Sequence, residues 1–376
     1  MLIKLIVVLA YAAVIVLIGV IGYKRTKSFL DFFLGGGKVG PWLTAFTYGT
    51  AYFSAVLFIG FAGKVGWAFG LSGLWIALGN SLIGVFLVWW LLGNRVKTAS
   101  TKLKAYTMPE YLDARYDSSF LKIFSSIAIF IFFVPYTAAV YMGLSYLFEV
   151  NFGIQYWQAL AFIAAFTGIY MVMGGYKSMT MIDFVFGIIM TVGVIILLWF
   201  CLKAGDGISG IVNKLNAIDP KLTSSVGPPG FWALFSLVFL TSVAPLGMPQ
   251  LLQKFFAIKD KKAIRTGMIA STCFAILITG TVYFVGALTR IFLDPVNNPA
   301  AFSDTVPRFD ALMPELLRTV IPQSLSVVML LLILSASMST LAALVLISSS
   351  TIARDLYLSL IHISEPTRPL YISYAV

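Results

Sequence analysis

The chain has one histidine, two cysteines and only 11% charged residues among its 376. A single histidine cannot build a histidine-based metal centre. Cys201 and Cys273, far apart and each inside an apolar stretch, offer neither a disulfide framework nor a zinc site, and are expected to be buried packing thiols. There is no phosphate-cradling glycine loop and no pair of intramembrane carboxylates placed for acid–base work, so an enzyme is not expected. The scarcity of charge excludes an ordinary soluble domain, which carries about 25% charged residues. Apolar residues take its place: 60% are hydrophobic and the mean hydropathy is +0.94.

A hydrocarbon core of roughly 30 Å takes about 20 apolar residues per helix. Nine stretches qualify: 3–23, 42–62, 69–92, 120–148, 156–172, 182–202, 231–252, 267–293 and 325–352. The expected class is therefore an all-α polytopic membrane protein with nine transmembrane helices. The first stretch is not a cleaved leader, because it is long and 23–27 lacks a small-residue cleavage pattern.

Net charge is +11. Lysine and arginine after the first, third, fifth and seventh stretches number 4, 6, 1 and 5, with Lys254 counted in the last group, against 8 on the opposite side. The positive-inside rule then puts the basic loops in the cytoplasm and the N-terminus outside. This asymmetry accounts for the charge without a nucleic-acid partner; the expected surroundings are a lipid bilayer. The longest polar connections are 95–119, 203–230 and 294–323. Within the first, MPEYLDARY at 108–116 is expected to form a short amphipathic surface helix. The other two would lie outside, as lids or as simple connections.

Two stretches carry their own interruptions. The second clusters Gly49, Thr50 and Ser54 near its middle, and the seventh has Pro245, Gly247 and Pro249 within five residues. Proline removes a backbone donor and clashes with the preceding turn, so a kink or unwound segment is expected. Unwound backbone at membrane depth survives only where it is buried in protein or lines a cavity. Interrupted helices at matching places in two halves are the pattern of a transporter with inverted repeats and a midplane site. In the ninth stretch, LSASMSTL at 334–341 sets Ala336, Ser339 and Thr340 at i, i+3 and i+4, one face of one turn. Two hydroxyls and a freed carbonyl are the oxygen ligands a small hard cation prefers.

Four stretches carry a resemblance to a known family: DFFLGGGKVGPWLTAFTYGTAYFSA at 31–55, YTMPEYLDARY at 106–116, YMVMGGYKSMTMIDFVFG at 170–187 and LSASMSTLAALVLISSSTIARDLY at 334–357. Together they resemble the sodium:solute symporter family, which includes proline, pantothenate and sodium/glucose transporters and shares the leucine-transporter fold. The resemblance runs in order over 2–357. It implies inverted five-helix repeats, the second incomplete here, and a multi-pass protein of the plasma membrane, expected to be a bacterial inner membrane. It further implies Na+ as coupling ion, held by the main-chain carbonyls of Thr50, Phe53 and Ala336 and the hydroxyls of Ser339 and Thr340, with Asp183 on the sodium exit path. A plainer reading of Asp183 is an acid favoured by the dipole at its helix N-terminus.

Where proline transporters of the family have an aspartate in the second span, this chain has Tyr52, so proline is not the assumed solute. The implied solute is a small organic one: an amino acid, carboxylate, vitamin or sugar. Thr47, Tyr48, Tyr52, Thr241, Ser242 and Gln250 are the substrate candidates, each with helix-to-helix hydrogen bonding as the alternative. The implied activity is sodium-coupled symport by alternating access. The other class kept open is a symporter-like sensor module of a membrane signalling kinase. The expected division is a symporter domain over 1–357 and a non-native tail over 358–376, where LSLIHISEPTRPLYISYAV looks like adapter-derived sequence joined to a truncated gene. His362 is then expected to carry no chemistry.

Overall fold

The computed structural model describes residues 2–54 and 56–358. Residues 359–376, which include His362 and nearly all of the expected tail, lie outside the described residues.

The first helix, α1 (Leu2–Arg25), is apolar on all sides and ends in Lys24 and Arg25, which complement the carbonyl end of its dipole. A short helix, α2 (Phe29–Leu34), is capped by the Ser28 side chain and stopped by Gly35 in the left-handed region. Next comes α3 (Pro41–Tyr52), with proline at its first position, where no intrahelical donor is lost. The chain then runs through a long helical segment, α4 (Leu57–Leu103), and a surface helix, α5 (Met108–Tyr116). Thr107 and Glu110 frame the start of α5: Glu110 N donates to Thr107 Oγ1 at 3.2 Å, and Tyr106 N donates to Glu110 Oε2 at 2.8 Å. Two long helices follow, α6 (Ser119–Phe152) and α7 (Tyr156–Ala204). Beyond them are α8 (Gly207–Ile218), α9 (Phe231–Val243), α10 (Pro249–Ala257), α11 (Lys261–Ala287), α12 (Phe309–Val320) and α13 (Ser326–Ser350).

Among the described residues, seven helical segments are long and apolar enough to cross a membrane. Two of them, α4 with 47 residues and α7 with 49, would each measure about 70 Å if straight, more than twice a bilayer core. Each holds a glycine at positive φ that turns the chain, Gly70 (φ 58°) in α4 and Gly175 (φ 52°) in α7. A side chain is excluded at both on steric grounds as well. A Cβ would stand 2.3 Å from Leu222 O at Gly70 and 2.4 Å from Phe32 O at Gly175.

The last span forms the core. Of its most apolar window 89% is buried, against 17% for α6 and for the segment Phe231–Ala257, whose outer faces are free for lipid. α13 packs on α7, α7 packs on α1 and α3, and α11 packs on α3 and α4. The 203–230 and 294–323 connections are largely helical, and α12 lays Leu312, Met313 and Leu316 against 57–69. Cys201 is buried as expected, but Cys273 is exposed: it lies on the outward face of α11, where an apolar environment in the bilayer replaces protein packing.

The face bearing the basic loops is tied together. Val39 N donates to Ala257 O at 3.0 Å and Lys259 N to Val39 O at 3.1 Å, a short parallel bridge between the α2–α3 connection and the end of α10. Lys97 Nζ donates to Phe256 O at 3.0 Å. Lys177 Nζ pairs with Asp31 at 2.7 Å. Partial burial opposes ionisation of Asp31, but the Lys177 ammonium and the Lys27 amide outweigh it and hold the carboxyl below the usual carboxylate range. Thr107 Oγ1 donates to Asp355 Oδ1 at 2.7 Å, and Arg354 pairs with Glu110 while lying over the Tyr106 ring, which fastens α5 to the end of the last span.

At the crossing of α4 and α11, backbone meets backbone. A Cβ on Gly66 would sit 1.9 Å from Gly286 C, and one on Gly286 2.2 Å from Ala62 O. Overpacking of this kind costs about 1–3 kcal/mol, so Gly66→Ala is expected to lower the thermal midpoint of detergent-purified protein by several degrees. Gly143→Ala in α6, where nothing stands within 4 Å, is expected to leave it unchanged or slightly raised.

Candidate functional site

The second span is broken at Phe53. Helix α3 ends there in extended backbone (φ −104°, ψ 92°), with Phe53 N donating to Gly49 O at 3.2 Å. Helix resumes by Leu57 in wide π-type turns, its restart supported by Val56 N donating to Ser54 Oγ at 3.3 Å. No proline or glycine lies at the break itself. A helix C-terminus leaves its last carbonyls without intrahelical donors, so this break exposes carbonyls in the middle of the protein. Thr50, Ala51, Phe53 and Ser54 are all buried.

The polar face of α13 lies opposite. Ser339 Oγ donates to Thr50 Oγ1 at 2.8 Å, and Thr50 Oγ1 in turn donates to Phe46 O at 2.8 Å. Thr340 Oγ1 lies 3.1 Å from Ala336 O and 3.5 Å from Ala51 O. Ser339 and Thr340 are fully buried. The residues named from spacing and resemblance, Thr50, Ala336, Ser339 and Thr340, are thus brought together, with Phe53 three residues along the chain from Thr50. Every donor atom in this set is a hydroxyl or carbonyl oxygen, which suits a small hard cation and no soft metal. Tyr170 supports the face from behind, its hydroxyl donating to Met338 O at 3.0 Å.

Asp183 stands beside this site and not at a helix start. α7 runs unbroken through it, eight residues past the Gly175 turn, so the dipole reading does not apply. Asp183 is 1% exposed, and neither carboxylate oxygen has a hydrogen-bond partner among the described residues. Lys254 is the residue that sequence reasoning misplaced. Counted as a loop charge, it is fully buried on α10, its ammonium 5.1 Å from the Tyr176 ring centroid. The signal available was its position only five residues after Pro249, inside what proves to be a nine-residue helix buried on nearly every side.

The substrate candidates divide. Tyr48 donates to Gly84 O at 3.0 Å and packs on Trp89, and Ser242 donates to Asn80 Oδ1 at 3.3 Å, so both serve helix-to-helix contacts. Tyr52 donates to Thr241 O at 2.9 Å, joining the two interrupted spans at the level of both breaks. The Thr241 hydroxyl turns back to Leu237 O at 2.8 Å. Thr47 Oγ1 and Gln250 Oε1 are buried without a partner among the described residues, which leaves them available to a ligand. The 231–252 stretch breaks where its prolines required: α9 ends at Val243, Ala244–Leu246 forms a tight turn, and α10 begins at Pro249.

Among solved structures, the chain is similar to a Na+-coupled sialic acid symporter in a substrate-bound outward-open state. The TM-score is 0.82 at 21% identity, over 99% of this chain and 77% of that one. It is also similar to a nucleobase-cation-symport-1 family transporter in a closed conformation, with a TM-score of 0.55 at 12% identity, over 88% of this chain and 69% of that one. At these identities the likeness establishes the fold. Curated relatives include the sodium/pantothenate symporter of Haemophilus influenzae, 32% identical over 344 residues, 89% of this chain and 68% of the relative. They also include the sodium/proline symporter of Salmonella typhimurium, 30% identical over 354 residues, 91% and 68%. These relatives are transporters and not enzymes. Residues 32–370 match the sodium:solute symporter family, and the chain belongs to that family.

Proposed function

We propose that this chain is a sodium-coupled symporter that moves a small organic solute across the plasma membrane by alternating access. The observation that carries the reading is the contact of Ser339 with Thr50, which sets the hydroxyl face of the last span against the broken second span. Sodium is the coupling ion, and its ligands are the carbonyls of Thr50, Phe53 and Ala336 with the hydroxyls of Ser339 and Thr340. An ion seated there draws the two spans together and stabilises one access state over the other by its differential affinity.

The turns at Gly70 and Gly175 support counting α4 and α7 as more than one span each, which gives nine crossings. On that count the interrupted spans are the second and the seventh, equivalent positions of two inverted five-helix repeats. The excess of lysine and arginine on the tied face supports a cytoplasmic location for that face and an external N-terminus. The solute site is assigned to Thr47, Tyr52, Thr241 and Gln250, between the two breaks. Tyr52, at the level of the sodium ligands, makes this wall neutral. Proline, pantothenate and sialic acid, the solutes named for relatives and the structural neighbour, head the panel to test.

One sodium ion moving down about 100 mV releases about 2.3 kcal/mol, and a tenfold gradient adds about 1.4 kcal/mol. Together these support accumulation of several hundredfold. Uptake by cells or proteoliposomes is expected to need sodium and to be unsupported by potassium. Ser339→Ala and Thr340→Ala are each expected to raise the half-saturating sodium concentration at least tenfold, about 1.4 kcal/mol, with normal membrane insertion. Uptake that is indifferent to sodium and to both substitutions would remove the reading.

A further inference from the structure

A cleft of about 560 Å³ opens where α3, α7 and α11 meet. Trp42 and Phe46 of α3 and Thr191 of α7 line it together with one strip of α11, which runs from Arg265 to Leu277 at helical spacing. Trp42 and Ile269 are more than half exposed there, so in a membrane the cleft opens to lipid. Its floor is aromatic. Phe46 meets Phe274 edge-on with ring centroids 5.5 Å apart, and it packs so closely on α7 that a Cβ on Gly187 would stand 2.0 Å from its ring. The Thr191 hydroxyl in the wall is already donated to Gly187 O at 2.7 Å, which leaves the depth of the cleft suited to hydrocarbon.

Charge is confined to one end. Arg265 lines the mouth, is exposed, and has no hydrogen bond or ion pair among the described residues. Lys261 and Lys262, in the same first turns of α11, are exposed and unpaired as well. The one acid beside them, Asp260, is engaged: it accepts from Ala263 N at 2.7 Å and pairs with Lys259 at 3.8 Å. Trp42 stands at this end too, at the second position of α3, as tryptophans do where hydrocarbon meets water. From Arg265 to Leu277 the strip measures about 18 Å along the helix. That is roughly the depth of one leaflet in a hydrocarbon core of about 30 Å. A helix of a second copy would need a groove over the full height of the core, whereas one acyl chain needs only this much.

We propose that this cleft binds one anionic phospholipid from the leaflet at the basic face, with its phosphate on Arg265 and an acyl chain along α11 as far as Leu277. Hydrocarbon gains little by moving from the bilayer into an apolar cleft. Preference therefore comes from the headgroup charge, and the shape of the cleft fixes where the lipid sits. The chain packs on Phe46, whose carbonyl accepts the Thr50 hydroxyl at 2.8 Å, so the lipid leans on the turn of α3 that leads to the break. None of the residues lining the cleft belongs to the sodium or solute sets above, and the binding does not depend on either.

Native mass spectrometry of the purified chain in detergent, titrated with phosphatidylglycerol or with phosphatidylcholine of the same acyl chains, tests this directly. One phosphatidylglycerol is expected to be held at least about fivefold more tightly than phosphatidylcholine, the worth of one basic residue near an anionic surface. Arg265→Gln is expected to abolish that preference. Lys102→Gln, which removes an exposed lysine of the same basic face outside the cleft, is expected to keep it. Ala270→Phe fills the cleft without touching a charge and is expected to weaken phosphatidylglycerol at least fivefold; Ala270→Leu gives the same readout where phenylalanine is not tolerated. Equal retention of the two lipids overturns the proposal, as does tight phosphatidylglycerol binding by Arg265→Gln. Unchanged binding by the folded Ala270 variants overturns it too, because the lipid is then held by surface charge alone. Lipid-free dimers that Ala270→Phe dissociates would give the cleft to a second copy of the chain and overturn it equally.

Discussion

The structure depends on covering an open piece of backbone inside a membrane. At Phe53 the second span gives up its helical hydrogen bonds, and in hydrocarbon each carbonyl left unpaired costs several kcal/mol. The cost is tolerable only because α13, the most buried span, sets Ser339 and Thr340 against that break. A bond from Thr340 to Ala51 O at 3.5 Å is weak. The carbonyls are thus shielded without being saturated, and an ion can bind there with more to gain than at a fully satisfied helix.

The rest of the fold holds that contact in place. α13 is fixed by α7, and α7 is redirected by Gly175 so that its second part runs past α3 with Asp183 inward. On the basic face the bridge between Val39 and Ile258 and the ties from Lys97, Thr107 and Arg354 keep that end of the bundle closed. These ties are mostly single bonds between segments, each worth about 0.5–1.5 kcal/mol. They can be exchanged during a transport cycle more readily than the α4–α11 crossing, where glycines bring backbone against backbone.

Much of this was legible in the sequence, for identifiable reasons. The i, i+3, i+4 hydroxyls of 336–340 and the prolines of the seventh span act through local geometry, so the sequence reading locates both. The break at Phe53 carries no proline, and only the cluster of Gly49, Thr50 and Ser54 pointed to it. The division of α7 at Gly175 falls in the polar gap between the stretches 156–172 and 182–202, where Gly174, Gly175 and Lys177 interrupt the apolar run. Lys254 was assigned to a loop because a lysine near the end of an apolar stretch ordinarily snorkels to water. Its burial follows from packing against Tyr176, a partner far away in sequence. Cys273 was expected inside because it lies within an apolar stretch, but in a bilayer the lipid-facing side of a span is as apolar as its packed side. Tyr48 and Ser242 turned out to be satisfied by Gly84 and Asn80, contacts that no local pattern announces.

The central claim is that sodium binds where the break at Phe53 meets the polar face of α13. Amide hydrogen exchange of the purified chain in sodium, compared with potassium at equal ionic strength, tests it most directly. The account predicts that sodium slows exchange at 50–57 and at 336–341 together, with little change in α6. Equal exchange in the two salts, or protection confined to segments away from both, would contradict it.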